Sequence, residues 1–138
     1  MIESLFFVLA LIGLLVSTHF TAVAYRWMRP DSRWVPPFCR LDEGICTLVV
    51  FTPQARLFGP PNSLLGQAYY SALLIGVWQG AALQRPWVFG YLAVAAVTVA
   101  LALYLSYSLV YVLRIRCVLC FASHAINVGL FLLLLATL

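Results

Sequence analysis

The sequence predicts an all-α integral membrane protein, a bundle of four transmembrane helices whose long first loop carries a short lid helix. Three observations lead there. Hydrophobic residues make up 64% of the 138-residue chain and charged residues 9%, a balance that a water-soluble fold cannot bury. Four apolar stretches each approach the length, about 20 residues, that a helix needs to cross a hydrocarbon core of roughly 30 Å. The links between them are unequal: two tight turns and one long polar loop, residues 26–63.

The first span is expected at residues 5–25. It sits where a signal peptide would, but it lacks a basic leading segment and runs into Tyr25-Arg26-Trp27 without a small-residue cleavage site, so it reads as retained. The loop that follows holds three of the four acidic residues (Asp31, Asp42 and Glu43), most of the prolines, and the cysteines Cys39 and Cys46. Within it, Thr52-Pro53 suits a helix start, a threonine cap followed by a proline at the first helical position, and Gly59-Pro60 suits its end. The segment between is too short to span. Together with the apolar run Ile45 to Phe51 it is also too apolar to float free, so it is expected to lie over the bundle mouth as a lid.

A second span follows at residues 64–83, turned by Gln84-Arg85-Pro86 into a third at 87–113; Arg114-Ile115-Arg116 turns that into a fourth at 118–138. The whole chain, 1–138, forms one membrane domain. In an up-and-down bundle the long loop and the Arg114 turn emerge on one face, which brings the two cysteine pairs to the same side. Tyr25, Trp27, Trp34, Trp87 and Tyr111 belong to the interfacial belts.

The chemistry concentrates in Cys117-Val118-Leu119-Cys120, because a C-x-x-C that opens a helix sets its first sulfur over unpaired amides at the positive end of the dipole, which favours the thiolate. Arg114 and Arg116 add positive charge beside it. Cys120 falls one turn deeper, inside the apolar bundle, so one sulfur can exchange with protein thiols while the other faces a lipid-soluble oxidant. Two other roles stay open at this level: a Cys₄ metal site, for which the six residues between Cys39 and Cys46 are a wide knuckle, and a non-catalytic membrane protein with structural cysteines. Further polar residues lie in or beside the spans. His124 falls one turn below Cys120 on the same face, and an ionisable group at that depth points to function. His19, amid Ser17, Thr18 and Thr21, suits an interhelical bond or the rim of a pocket, and Asn127 suits interhelical packing.

With the pair Cys39 and Cys46, the run Pro61-Asn62-Ser63-Leu64-Leu65-Gly66, the helix-opening Cys117-Val118-Leu119-Cys120 and the following Ala125-Ile126-Asn127-Val128, the chain resembles the vitamin K epoxide reductase (VKOR) family along essentially its whole length. It looks most like the bacterial single-domain members, without a fused thioredoxin domain. The other four-helix quinone-linked thiol oxidases carry their C-x-x-C before the loop pair; here the order is reversed.

The resemblance implies a quinone-linked thiol oxidoreductase. Electrons would pass from a partner dithiol through Cys39 and Cys46 to Cys117 and Cys120 and then to a quinone, with disulfides as the product; reduction of vitamin K quinone or its epoxide is the alternative outcome. Cys120 matches the quinone-reactive sulfur, Cys117 the one that exchanges with the loop, Cys46 its loop partner, and Cys39 the cysteine that meets the external substrate. The cofactor would be ubiquinone, menaquinone or vitamin K, with no metal. Asn62 matches a donor to a quinone carbonyl, although a helix cap is the ordinary role for Asn62 or Ser63. His124 stands where vertebrate relatives have a quinone-contacting tyrosine, and Leu65 and Tyr69 fall at pocket-wall positions. The implied partners are a separate thioredoxin-like (DsbA-like) protein or substrate dithiols, and membrane lipid; nucleic acid is not implied. The setting would be a bacterial inner membrane or an ER-type membrane, with the active site on the exoplasmic face. Seven of the eight arginines lie on the cysteine side, an arrangement that by itself favours the opposite orientation.

Overall fold

The computed structural model describes residues 1–25, 53–114 and 118–138. Within them lie four α-helices, α1 (Ile2–Ala24), α2 (Asn62–Trp78), α3 (Trp87–Tyr107) and α4 (Val118–Ala136), and no strand. Cys39, Cys46, Cys117, Thr52 and the run Ile45 to Phe51 lie outside the described residues.

Three of the helices are long and apolar enough to cross a membrane: α1, α3 with its continuation to Val112, and α4. The fourth, α2, is shorter than its apolar sequence suggests. Its 17 residues span about 25 Å, because the helix ends at Trp78 rather than at Leu83. Gly80 takes φ +71 and its N–H bonds the Val77 carbonyl at 2.9 Å, while the Ala81 N–H reaches the Gly76 carbonyl at 2.8 Å. Those two bonds make a Schellman stop, and glycine is the residue that tolerates the left-handed backbone it needs. Apolar content alone does not carry a helix past such a stop.

Along α3, the regular helix gives way to a π-helical turn at Ser108–Val112, with the Leu113 N–H on the Ser108 carbonyl at 2.7 Å. Arg114 then closes the element at φ +53, a left-handed end more often filled by glycine. Ahead of α2, the expected lid helix begins at Pro53 but holds only one 3-10 turn, Pro53–Arg56. Gly59, at φ +96, turns the chain away from it.

The helices pack α1 on α2, α1 on α4, and α3 on α4. Their shared core is Phe6 and Ala10 from α1, Tyr70 and Leu73 from α2, Val88 and Ala95 from α3, and Leu130 and Leu134 from α4. Small residues set the approach of α1 to α2. A Cβ on Gly13 would clash with the edge of the Tyr70 ring, and one on Gly66 would lie 2.8 Å from Ser17 Oγ. Lipid supplies no hydrophobic drive between helices, so such close contact and interhelical hydrogen bonds hold the pair. Thr21 Oγ1 is within bonding distance of both the Ser17 carbonyl (2.9 Å) and Ser63 Oγ (3.0 Å), and Gln67 Nε2 donates to Thr18 Oγ1 at 3.0 Å. A second apolar cluster, Leu109, Leu119 and Cys120 with Val16, Phe20 and Leu113, closes the end of the bundle where α4 begins.

Candidate active site

At that end the helices part around a cavity of about 210 Å³. α2 and α4 both start there and run in the same direction, so residues early in each helix face one space. α4 contributes Cys120, in its first turn and buried, then Ser123, His124 and Asn127. From α2 come Asn62, Ser63, Leu65, Gly66, Tyr69 and Tyr70. The walls from α3 are apolar apart from Thr98, and Ala55 and Leu57, on and just after the 3-10 turn, border the mouth. None of the described lining residues is Asp, Glu, Lys or Arg.

Asn62, Leu65, Tyr69, Cys120 and His124, which the sequence singles out, are thus brought together around one space. The other three cysteines lie outside the described residues. Asn62 is the first residue of α2, not its cap; that position falls to Pro61, and no side chain caps this end. His19 does not line the cavity and packs its ring against Phe20, with centroids 5.8 Å apart. Asn127 is buried and accepts a hydrogen bond from the Tyr70 hydroxyl, tying α2 to α4 at the cavity floor.

Two polar atoms at this cavity are buried and lack a hydrogen-bond partner among the described residues: the Tyr69 hydroxyl and His124 Nδ1. Thr98 donates its own proton to the Val94 carbonyl at 2.9 Å, which leaves its oxygen beside the Tyr69 hydroxyl as an acceptor.

Sequence reasoning missed Ser17, Tyr70, Thr98 and Ser123 as lining residues. Ser123 adjoins His124 and could have been suspected. Thr98 with Leu101, Ala102, Leu105 and Leu109 makes a stripe of helical period along α3, but in a helix apolar all round nothing separates a cavity-facing stripe from a lipid-facing one.

No curated protein matches the chain closely enough to lend it a function. The model of the vitamin K epoxide reductase family matches residues 4–135, which takes in all four helices and the cavity they enclose. With that match, the chain belongs to the vitamin K epoxide reductase family, membrane oxidoreductases that use quinones and work with thioredoxin-like partners.

Proposed function

We propose that this protein is a quinone-dependent thiol oxidoreductase that makes disulfides, taking electrons from a partner dithiol through Cys39 and Cys46 to Cys117 and Cys120 and delivering them to a quinone in the cavity. One observation carries the reading. Cys120, His124, Asn62, Leu65 and Tyr69 line a single apolar space at the helix starts. The residues fit the group: mostly apolar walls suit a flat ring, and the few polar side chains among them, Asn62 and His124 included, suit its oxygens. When bound, the quinone supplies an acceptor for two electrons and two protons. Asn62 at the mouth and His124 further in would hold the ring oxygens.

The cysteines divide the remaining work. Cys120, buried in the first turn of α4, is shielded from soluble thiols, whereas Cys117 precedes the helix and is positioned by sequence to exchange with Cys46. Cys39 would receive electrons from a separate thioredoxin-like (DsbA-like) protein or directly from substrate dithiols. Each turnover oxidises two partner thiols to a disulfide and releases two electrons and two protons. The 3-10 turn acts as the inner edge of a lid, and α2, with the residues after its glycine stop, acts as the fourth span.

The test is direct. Purified protein in lipid nanodiscs, given dithiothreitol and ubiquinone-1, is expected to reduce the quinone, and Cys120→Ser is expected to abolish that reduction. Undiminished turnover in Cys120→Ser would place the reaction elsewhere.

A further inference from the structure

We propose that Tyr70 is a positioning residue for this reaction: its hydroxyl holds Ser123 and Asn127, and so fixes the rotation of α4 that turns Cys120 and His124 into the cavity. The inference rests on the quinone reading above and names what aims its two central side chains. Tyr70 is 1% exposed and its ring is wedged against α1, where a Cβ on Gly13 would clash with the ring edge. The hydroxyl crosses to α4, where it donates to Asn127 Oδ1 and lies within hydrogen-bonding reach of the Ser123 hydroxyl. A phenol oxygen accepts while its own proton is given away, so both bonds can stand at once.

The two anchor points bracket His124. Ser123 precedes it, Asn127 follows about one turn later, and Cys120 lies about one turn before Ser123. At about 100° per residue these four side chains share an arc of about 100°, with Ser123 at one edge, His124 at the other, and Cys120 and Asn127 between them. Rotating α4 by one residue's angle would carry that whole arc off the cavity. Below this level α4 packs through Leu130 and Leu134, both apolar. Apolar contacts tolerate rotation, and lipid supplies no hydrophobic drive to correct it, whereas two directional hydrogen bonds to one buried oxygen resist it. Tyr70 is itself locked between α1 and α2, so it sets α4 against the helix that carries Asn62.

Tyr70→Phe keeps the ring and leaves the buried Asn127 oxygen without its donor. The unfolding temperature is expected to fall, and kcat for ubiquinone-1 reduction to drop about tenfold. Adding Asn127→Leu removes the second partner as well, which is expected to recover the unfolding temperature but not kcat, because nothing then sets the rotation of α4. A kcat that recovers together with stability would make the bond purely structural and overturn the inference. A second measurement needs no turnover. In a Cys120→Ser background with isotope-labelled histidine, the His124 imidazole resonance is identified by its loss in His124→Ala. Saturating menadione is expected to shift it, and the shift is expected to shrink in Tyr70→Phe. An undiminished shift in Tyr70→Phe would overturn the positioning role while leaving the quinone site in place. No shift with Tyr70 intact would overturn the site and this inference together.

Discussion

His124 lines an apolar cavity one helical turn from a buried cysteine, and its Nδ1 is buried without a partner among the described residues. A hydrogen bond from a buried donor to a group that gains charge is worth about 1.5–3 kcal/mol, so His124→Ala is expected to slow quinone reduction on the order of ten- to a hundredfold in steady-state assays. His124→Tyr restores a donor and is expected to keep much of the rate. Exchange between the loop cysteines and a partner protein lies above the cavity and is expected to change little. An alanine variant with unaltered quinone kinetics would leave His124 as a packing residue. His124 was legible in the sequence because an ionisable group is costly in hydrocarbon, and Cys120 because a C-x-x-C opens its helix; Asn62, Leu65 and Tyr69 were placed by the family resemblance. Tyr69 was legible as a wall position, but its hydroxyl was not, because a tyrosine in an apolar helix reads equally well as interface or core. Whether it is bonded depends on Thr98, which comes from another helix.

At the scale of the elements, number and order were readable from apolar length, while endings followed local backbone chemistry. The run to Leu83 looks continuous in hydropathy, yet the Gly80 stop ends α2 at Trp78; the Gln-Gly pair before Ala81 was the available signal. Two glycine substitutions separate packing from propensity. Gly13→Val drives a side chain into the Tyr70 ring and is expected to cost about 1–3 kcal/mol, lowering the unfolding temperature in detergent. Gly90→Ala has no described atom within 4 Å of the added Cβ and is expected to be neutral or mildly stabilising, alanine being the better helix former. The reverse ranking would show that α1 and α2 do not meet as described. The lid makes a separate prediction. With Cys39 and Cys120 both replaced by serine, Cys46 and Cys117 each lack their proposed resolving partner and are expected to join in a loop-to-helix disulfide. It would be visible as a shift on a non-reducing gel and as protection from maleimide. Two persistently reactive thiols under oxidising conditions would show that the loop does not reach the start of α4.

For the molecule as a whole, the open question is which face of the membrane the cysteines occupy, and two physical arguments oppose each other. Of eight arginines, only Arg85 lies at the turn between α2 and α3, and no lysine is present to balance the other seven. Arginine retention on the cytoplasmic side would therefore place the cysteine end in the cytoplasm. Disulfides made there would meet a reducing thiol pool, whereas on the exoplasmic side they persist. The arginine rule weighs residues that are free to act as topological anchors. Arg114 forms the left-handed end of α3 and Arg56 ends the 3-10 turn at the cavity mouth, so these two have local places in the fold. Under the proposed chemistry, with α2 as the fourth span, an exoplasmic cysteine face is expected, with Arg85, the start of α1 and the end of α4 on the cytoplasmic side. Green fluorescent protein fused after Leu138 is expected to fluoresce, and alkaline phosphatase fused there to stay inactive. Inserted into the loop between α1 and α2, the phosphatase is expected to be active. The opposite pattern would make this an enzyme that oxidises cytoplasmic thiols, with the cavity chemistry unchanged and the partner drawn from the other compartment.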